Sequence, residues 1–308
     1  MKIIQRYKVW YGVSIVLIAI SLAALIGFGL KPGIDFTGGT LIEVGFDKNI
    51  ETQTVREALK DVSLPSEPSV SSTGRNSVLI KTSTLTKEEI DTLINTLRTN
   101  LTQNPETGIG AVTVEQTQTI GPVVGESLTR RAVIAVILSV ICIVFYVAWS
   151  FRRVQKPFSS WTMSSATIIA LLHDIIITLG FVSIINHYYG YEANSYLVVA
   201  LLTVLGFSVH DTIVVFDRVR ENLLHAPAHT PVMVTVNNSI NQTIARSLNT
   251  SLTALLVLIA LAGLGGASIK PLVLTLLAGI TIGTYSSIFV ASPILVTWDK
   301  IKSRSSAK

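Results

Sequence analysis

Six apolar stretches, each long enough to cross a lipid bilayer as a helix, dominate this chain: residues 10–30, 132–150, 161–185, 196–216, 248–264 and 272–296. A hydrocarbon core about 30 Å thick requires roughly 20 apolar residues at 1.5 Å rise each. Only 14% of the 308 residues are charged, against roughly 25% in a soluble domain. Because the apolar residues lie in six runs, the pattern specifies a six-span membrane protein, not a soluble one with a large core. The first run follows Lys2, Arg6 and Lys8 but is longer than a signal-peptide core and no small-x-small cleavage site follows it, so it reads as a retained anchor.

Charge divides the chain into two regions. Residues 31–128 hold 13 Asp or Glu against 8 Lys or Arg, a net of −5, whereas the remainder holds 6 against 16, a net of +10. The basic residues sit in short connections: Lys2, Arg6 and Lys8; Arg152, Arg153 and Lys156; Arg218, Arg220 and Arg246; Lys300, Lys302, Arg304 and Lys308. With six spans all four sets fall on one side, which the positive-inside rule makes cytoplasmic. The loop 186–194 has no Lys or Arg, and 265–271 has only Lys270. Arg130 and Arg131 run against the rule, which long translocated regions obey weakly. Trp10, Trp149, Trp161 and Trp298 fall at the cytoplasmic ends of spans, as an interfacial aromatic belt requires. Both termini are thus expected in the cytoplasm and residues 31–128 outside. Basic residues so placed serve topology and lipid headgroups, and they disfavour nucleic acid as a partner. The single cysteine, Cys142, lies in an apolar run and reads as a small buried hydrophobe.

Residues 31–128 have the periodicities of a folded unit. Strands are expected at 40–46, 67–71, 77–82 and 112–120, and helices at 51–62 and 87–101, the second opened by a Thr86-x-x-Glu89 capping box. A Ser72-Thr73-Gly74 turn joins the middle strands. The order β-α-β-β-α-β is that of a ferredoxin-like domain, a fold that by itself says little about function. The expected architecture is therefore an α-helical polytopic membrane protein of six helices carrying an α+β extracytoplasmic domain, with a short tail from residue 299.

Ionisable groups inside spans are costly and mark partners or water-filled paths. Asp174 lies near the middle of the third run and Asp211 about 7.5 Å toward the cytoplasmic side of the centre of the fourth, preceded by His173 and His210. Arg246, at the head of the fifth run, is the intrachain candidate to pair with Asp211. Two readings stay open: a proton relay in which Asp211 alternates between protonated and Arg-paired states, and a fixed ion pair that pins helices together. Asp217, Arg218, Arg220 and Glu221 read as interfacial. Gly206, Gly279 and Gly283 are candidate sites of close helix packing, the last two continuing to Ser287 on one face. No set of metal ligands converges and no phosphate-binding glycine loop occurs, so no cofactor is expected.

Gly33-Ile34-Asp35-Phe36-Thr37-Gly38-Gly39-Thr40, just past the first span, resembles the signature of the SecD/SecF family. So do Gly121-Pro122-Val123-Val124-Gly125, His173-Asp174 with Gly180, the run Gly206 to Asn222 through His210-Asp211, and Asn241 through Arg246 to Thr253. The resemblance is to the SecF branch and covers nearly the whole chain. It implies half of a resistance-nodulation-division type transporter, completed by SecD, that helps SecYEG, with YajC among its associates, to export preproteins at the expense of proton flow. On that resemblance Asp211 and Arg246 belong to the proton path and Gly33, Asp35, Phe36, Gly38 and Gly39 to the signature. His210 stands where the family pattern leads one to expect Asn.

Three other readings compete. A proton-driven exporter of a lipid or small molecule should carry two six-span repeats. A structural adaptor for SecD would conduct no protons. An intramembrane aspartyl protease using Asp174 and Asp211 lacks the Gly-x-Gly-Asp context, since Asp211 follows Ser208-Val209-His210.

Overall fold

The computed structural model describes residues 2–60, 62, 64–72, 76–103, 108–152, 158–227 and 230–306. Arg153, Lys156 and Lys308 of the basic clusters, and Thr73 and Gly74 of the expected turn, lie outside them.

Among the described residues six helices are long and apolar enough to span a membrane. They are α1 (Tyr7–Gly27), α5 (Pro122–Ser150), α6 (Ser160–Tyr189), α7 (Ser195–His225), α8 (Val232–Leu264), and a last span in which α9 (Lys270–Ser286) and α10 (Ser292–Ser306) are joined by a π turn, Ser287–Ala291. The third, fourth and sixth spans are 56, 50 and 56% buried, against 17, 6 and 11% for the others, so α6, α7 and α9 form the centre. The outer position of α5 explains why Cys142 is exposed, not buried as its apolar context suggested.

Small residues set the central spacing. A Cβ on Gly279 would collide with Val204, and one on Gly283 would meet Ser208 Cβ at 3.0 Å, which holds α9 against α7 at close range. On the other side Gly180 of α6 lies on Ser21 of α1, and Ser183 Oγ donates to the carbonyls of Ala24 (3.0 Å) and Gly29 (2.6 Å). A Cβ on Gly206 would meet nothing within 4 Å; this glycine faces outward, so within this chain it is not a packing site.

The α8 helix starts 16 residues before the apolar run that predicted it. Its 33 residues measure roughly 50 Å, more than a bilayer core. The polar N-terminal half lies across one end of the bundle: Asn222 Nδ2 donates to Ser239 Oγ at 2.8 Å, and Asn237 Oδ1 accepts from the Ile4 amide at 3.2 Å. The Tyr11–Thr297 hydroxyl pair (2.8 Å) and the Phe151–Phe216 ring contact lie at this same end.

Between α1 and α5 stands the α+β unit: a short helix α2 (Ile34–Thr37), β1 (Gly39–Phe46), α3 (Thr52–Ala58), β2 (Ser69–Ser72), β3 (Ser77–Thr82), α4 (Lys87–Thr102) and β4 (Val112–Ile120). The antiparallel sheet has the order β2-β3-β1-β4, the ferredoxin-like topology expected. Helix α3 is shorter than its periodicity suggested, capped at Leu59. Thr86 and Glu89 form the reciprocal capping box, the Thr86 amide donating to Glu89 Oε2 at 2.7 Å. Leu93, Leu97 and Leu101, spaced by one helical turn, bury against Ile42, Val44, Val78 and Ile80, which alternate along β1 and β3. The helices thus cover one sheet face. The other presents Leu41, Glu43, Leu79, Lys81, Gln116 and Gln118.

Candidate functional site: a buried carboxylate pair among three helices

Asp174 of α6 is fully buried at the centre of the bundle. Its Oδ2 accepts from Ser208 Oγ of α7 at 2.5 Å and from Ser286 Oγ of α9 at 2.7 Å, and its Oδ1 shares a 2.8 Å hydrogen bond with His173 Nδ1. The His173 ring stacks on Tyr285, whose hydroxyl reaches Ser14 of α1 at 3.1 Å and donates to the Trp10 carbonyl at 3.0 Å. Three spans therefore meet at one carboxylate, and α1 joins them through Tyr285.

Asp211, three residues after Ser208 on α7, is 4% exposed and accepts from Ser287 Oγ at 2.9 Å. Among the described residues this is its one hydrogen bond. The adjacent serines 286 and 287 thus serve different aspartates. The π turn begins at Ser287, whose carbonyl accepts from Ser292 Oγ at 3.0 Å, and Pro293 six residues on supplies no amide to the Phe289 carbonyl that an α-helix would bond there.

Arg246 does not pair with Asp211 among the described residues. Its side chain is exposed and borders a cleft of about 550 Å³ between α7 and α8, together with Asp217, Arg218, Glu221 and Gln242. Arg218 Nε donates to Gln242 Oε1 at 2.6 Å and its Nη1 contacts Glu221 at 2.5 Å, so the charges that read as interfacial form a network at the mouth of this cleft. The ion pair expected from sequence is absent from this arrangement because the Asp211 carboxylate meets Ser287 of the π turn, whereas Arg246 is exposed at the α7–α8 cleft. His210 is also exposed, beside Gly206 on the outer face of α7. Sequence reading missed Ser208 and Ser286 and took Ser287 for packing only. The available signal was their spacing: Ser208 one turn from Asp211, and paired serines one turn after Gly283.

The signature segment does something different. Gly38 and Gly39 have φ of +73° and +138°, conformations open to glycine, and turn the chain from α2 into β1. A Cβ on Gly125 would meet the Gly38 nitrogen at 2.9 Å and the Phe36 oxygen at 3.0 Å, so the two glycine motifs flanking the domain are packed against each other. The Gly33 amide donates to the Ala193 carbonyl at 2.7 Å, and Asp35 Oδ2 accepts from the Ser195 amide, at the first turn of α7, at 2.7 Å. Lys81 pairs with Glu192 at 3.0 Å. The domain is thereby pinned to the N-terminal end of the helix that carries Asp211.

The family model described as "Protein export membrane protein SecD/SecF, C-terminal" matches residues 101–301, and that of the "SecD/SecF GG Motif" matches 23–50. The chain is 39% identical over 300 residues to the protein translocase subunit SecF of Thermobaculum terrenum, covering 96% of this chain and 92% of the relative. It is 40% identical to SecF of Vibrio alginolyticus, covering 93% and 86%. The crystal structure of SecDF, a translocon-associated membrane protein from Thermus thermophilus, superposes with a TM-score of 0.82 at 34% identity, over 96% of this chain and 38% of that longer one. Matched along nearly its full length, in its membrane helices and in its glycine signature, the chain belongs to the SecD/SecF family of protein-export membrane proteins.

Proposed function

We propose that this chain is the SecF-like subunit of a protein-translocation auxiliary complex, working with a SecD partner beside the SecYEG channel, and that Asp211 is its proton-coupling carboxylate. The observation that carries the second part is the environment of Asp211. An acidic group 4% exposed inside an apolar span, with one hydroxyl partner among the described residues, is the kind of costly intramembrane group that marks an ion pathway. The cleft bordered by Arg246, Asp217 and Arg218 supplies a polar approach from the end of the bundle where the basic clusters gather. That end is assigned to the cytoplasm, and residues 31–128 to the outer face, by the distribution of Lys and Arg.

Asp174 has three partners and is the structural member of the pair; through Ser208 it also fixes the turn of α7 from which Asp211 projects. Pairing of Asp211 with Arg246 belongs to a second state, reached by rotation or sliding of α7 against α8. One charge crossing 100 mV releases about 2.3 kcal/mol, which biases such a two-state movement by more than about tenfold. The outward stripe of Gly206 and His210 on α7, exposed in this structure, is the face offered to SecD.

The test is Asp211→Asn in vesicles containing the partner subunits. Assembly, checked by pull-down, should persist while the part of reporter export that depends on the proton gradient disappears. Full retention of gradient dependence would make the chain a scaffold for SecD.

A further inference from the structure

The open face of the sheet does not look into solvent. It lies over the α6–α7 connection, and between the two is a chamber of about 180 Å³. That is smaller than the roughly 300–1,000 Å³ of small-molecule sites and of a size to take one side chain.

Glu43, at the centre of the floor, is 9% exposed and makes no hydrogen bond or ion pair among the described residues. Its cross-strand neighbours, Leu79 and Gln116, bring no charge. Lys81, two positions along the same face, is already engaged: its Nζ lies 3.0 Å from both Glu192 oxygens and 3.1 Å from the Pro32 carbonyl. Asp35 is bound to the Ser195 amide. Three carboxylates against one ammonium leave the chamber two charges negative, and Glu43 is the one whose counter-charge is missing. Its carboxylate oxygens keep contact with solvent but have no counter-ion among the described residues, so a cation that enters gains a partner that this chain does not supply. Tyr189 and Tyr191, stacked at 5.9 Å in the roof, offer ring faces that attract organic cations. A divalent metal wants six or more oxygens from several carboxylates, which one free Glu does not supply.

We infer that this chamber takes the lysine or arginine side chain of a polypeptide crossing the sheet face in extended form, with Glu43 as counter-ion. The rim supports a chain of varied sequence: Ser69 and Gln116 are exposed, polar and uncharged, and can hydrogen-bond main-chain groups. An obligate subunit interface is large and apolar, and this floor is neither, so the occupant assigned is the exported chain in transit. That source rests on the export reading above; the cation site does not.

The full chain in nanodiscs is titrated with a short labelled Gly/Ser peptide carrying one central arginine, and with its citrulline counterpart. Wild type should bind the arginine peptide about tenfold more tightly, equivalent to about 1.4 kcal/mol, and Glu43→Gln should bring the two within about twofold. A wild-type ratio near one overturns the site even if Glu43→Gln fails to fold, and an unchanged ratio in a folded Glu43→Gln overturns it too. For the source, a photo-crosslinking residue at Ser69 in cells should capture a stalled export reporter and lose it when the reporter's basic residues become Gln; adducts with the SecD partner alone overturn that assignment. Binding needs no gradient and should be unaltered by Asp211→Asn, so this site and the proton reading stand or fall separately.

Discussion

Ser208 and Asp174, on neighbouring membrane helices, are joined by a 2.5 Å hydrogen bond one helical turn before Asp211. Ser208→Ala takes one of three donors from a fully buried carboxylate. The expected loss is about 1–2 kcal/mol, between values for hydrogen bonds to charged groups and the smaller couplings measured between membrane helices. Unfolding of the detergent-solubilised chain measures it. Ser287→Ala, which acts on Asp211, should cost less and alter gradient-dependent export more; equal effects of the two on export would remove the distinction drawn between the aspartates.

Gly279 and Gly206 should respond in opposite ways. Gly279→Val drives a side chain into Val204 and should destabilise the chain by about 1–3 kcal/mol or more. Gly206→Ala meets open space and should be neutral or up to about 1 kcal/mol stabilising. Under the proposed assembly, Gly206→Leu leaves the isolated chain folded but reduces co-purification of SecD. Normal recovery of SecD would show that the outer stripe of α7 is not its docking face.

Asp35 holds the Ser195 amide at the start of α7. Asp35→Ala should cost about 1 kcal/mol, as loss of a helix cap does, and speed hydrogen exchange at Ser195 about fivefold. Asp35→Asn, which keeps an acceptor oxygen, should stay close to wild type. If both variants exchange alike, charge at the helix terminus, not the hydrogen bond, is the relevant interaction.

Two exposed carboxylates in the domain make its stability acid-sensitive. Asp47 is held below the ordinary carboxylate value chiefly by the Gly110 amide, and Glu89 by the Thr86 amide and hydroxyl of the capping box. A depressed folded pKa contributes stability that is fully present above the unfolded value and is lost as pH falls through the folded one. Melting of the domain should therefore drop below the ordinary Asp and Glu range, and Asp47→Asn with Glu89→Gln should flatten that part of the profile. A profile unchanged in the double variant would place the acid sensitivity elsewhere.

The β-α-β-β-α-β order was legible because each element carries its own period: alternation in Ile42, Val44, Val78 and Ile80, one-turn spacing in Leu93, Leu97 and Leu101, and a cap at Thr86. The two membrane aspartates were visible because a charge in an apolar run is costly and demands a partner or a path. Their partners were not, since serine in a membrane helix serves equally for packing and for hydrogen bonding, and which it does depends on the rotation of a neighbouring helix. Hydropathy likewise cut α8 short, because its polar N-terminal half is held by Ser239 and Asn237 at the bundle end and not by lipid. The Asp211–Arg246 pairing is not made in this arrangement for a third reason: two residues of opposite charge on adjacent spans can still project in different directions.

The contacts of Gly33 with Ala193, Asp35 with Ser195 and Lys81 with Glu192 have a mechanical meaning. A domain held only by its two chain ends would hang as on a tether and absorb any tilt of the helices below as slack. Here the first of those ends is itself clamped to the head of α7, through Gly33, Asp35 and Lys81 together. A clamped end removes that slack, so a tilt of α7 is passed to the sheet, and a pull on the sheet is felt at the helix that carries Asp211.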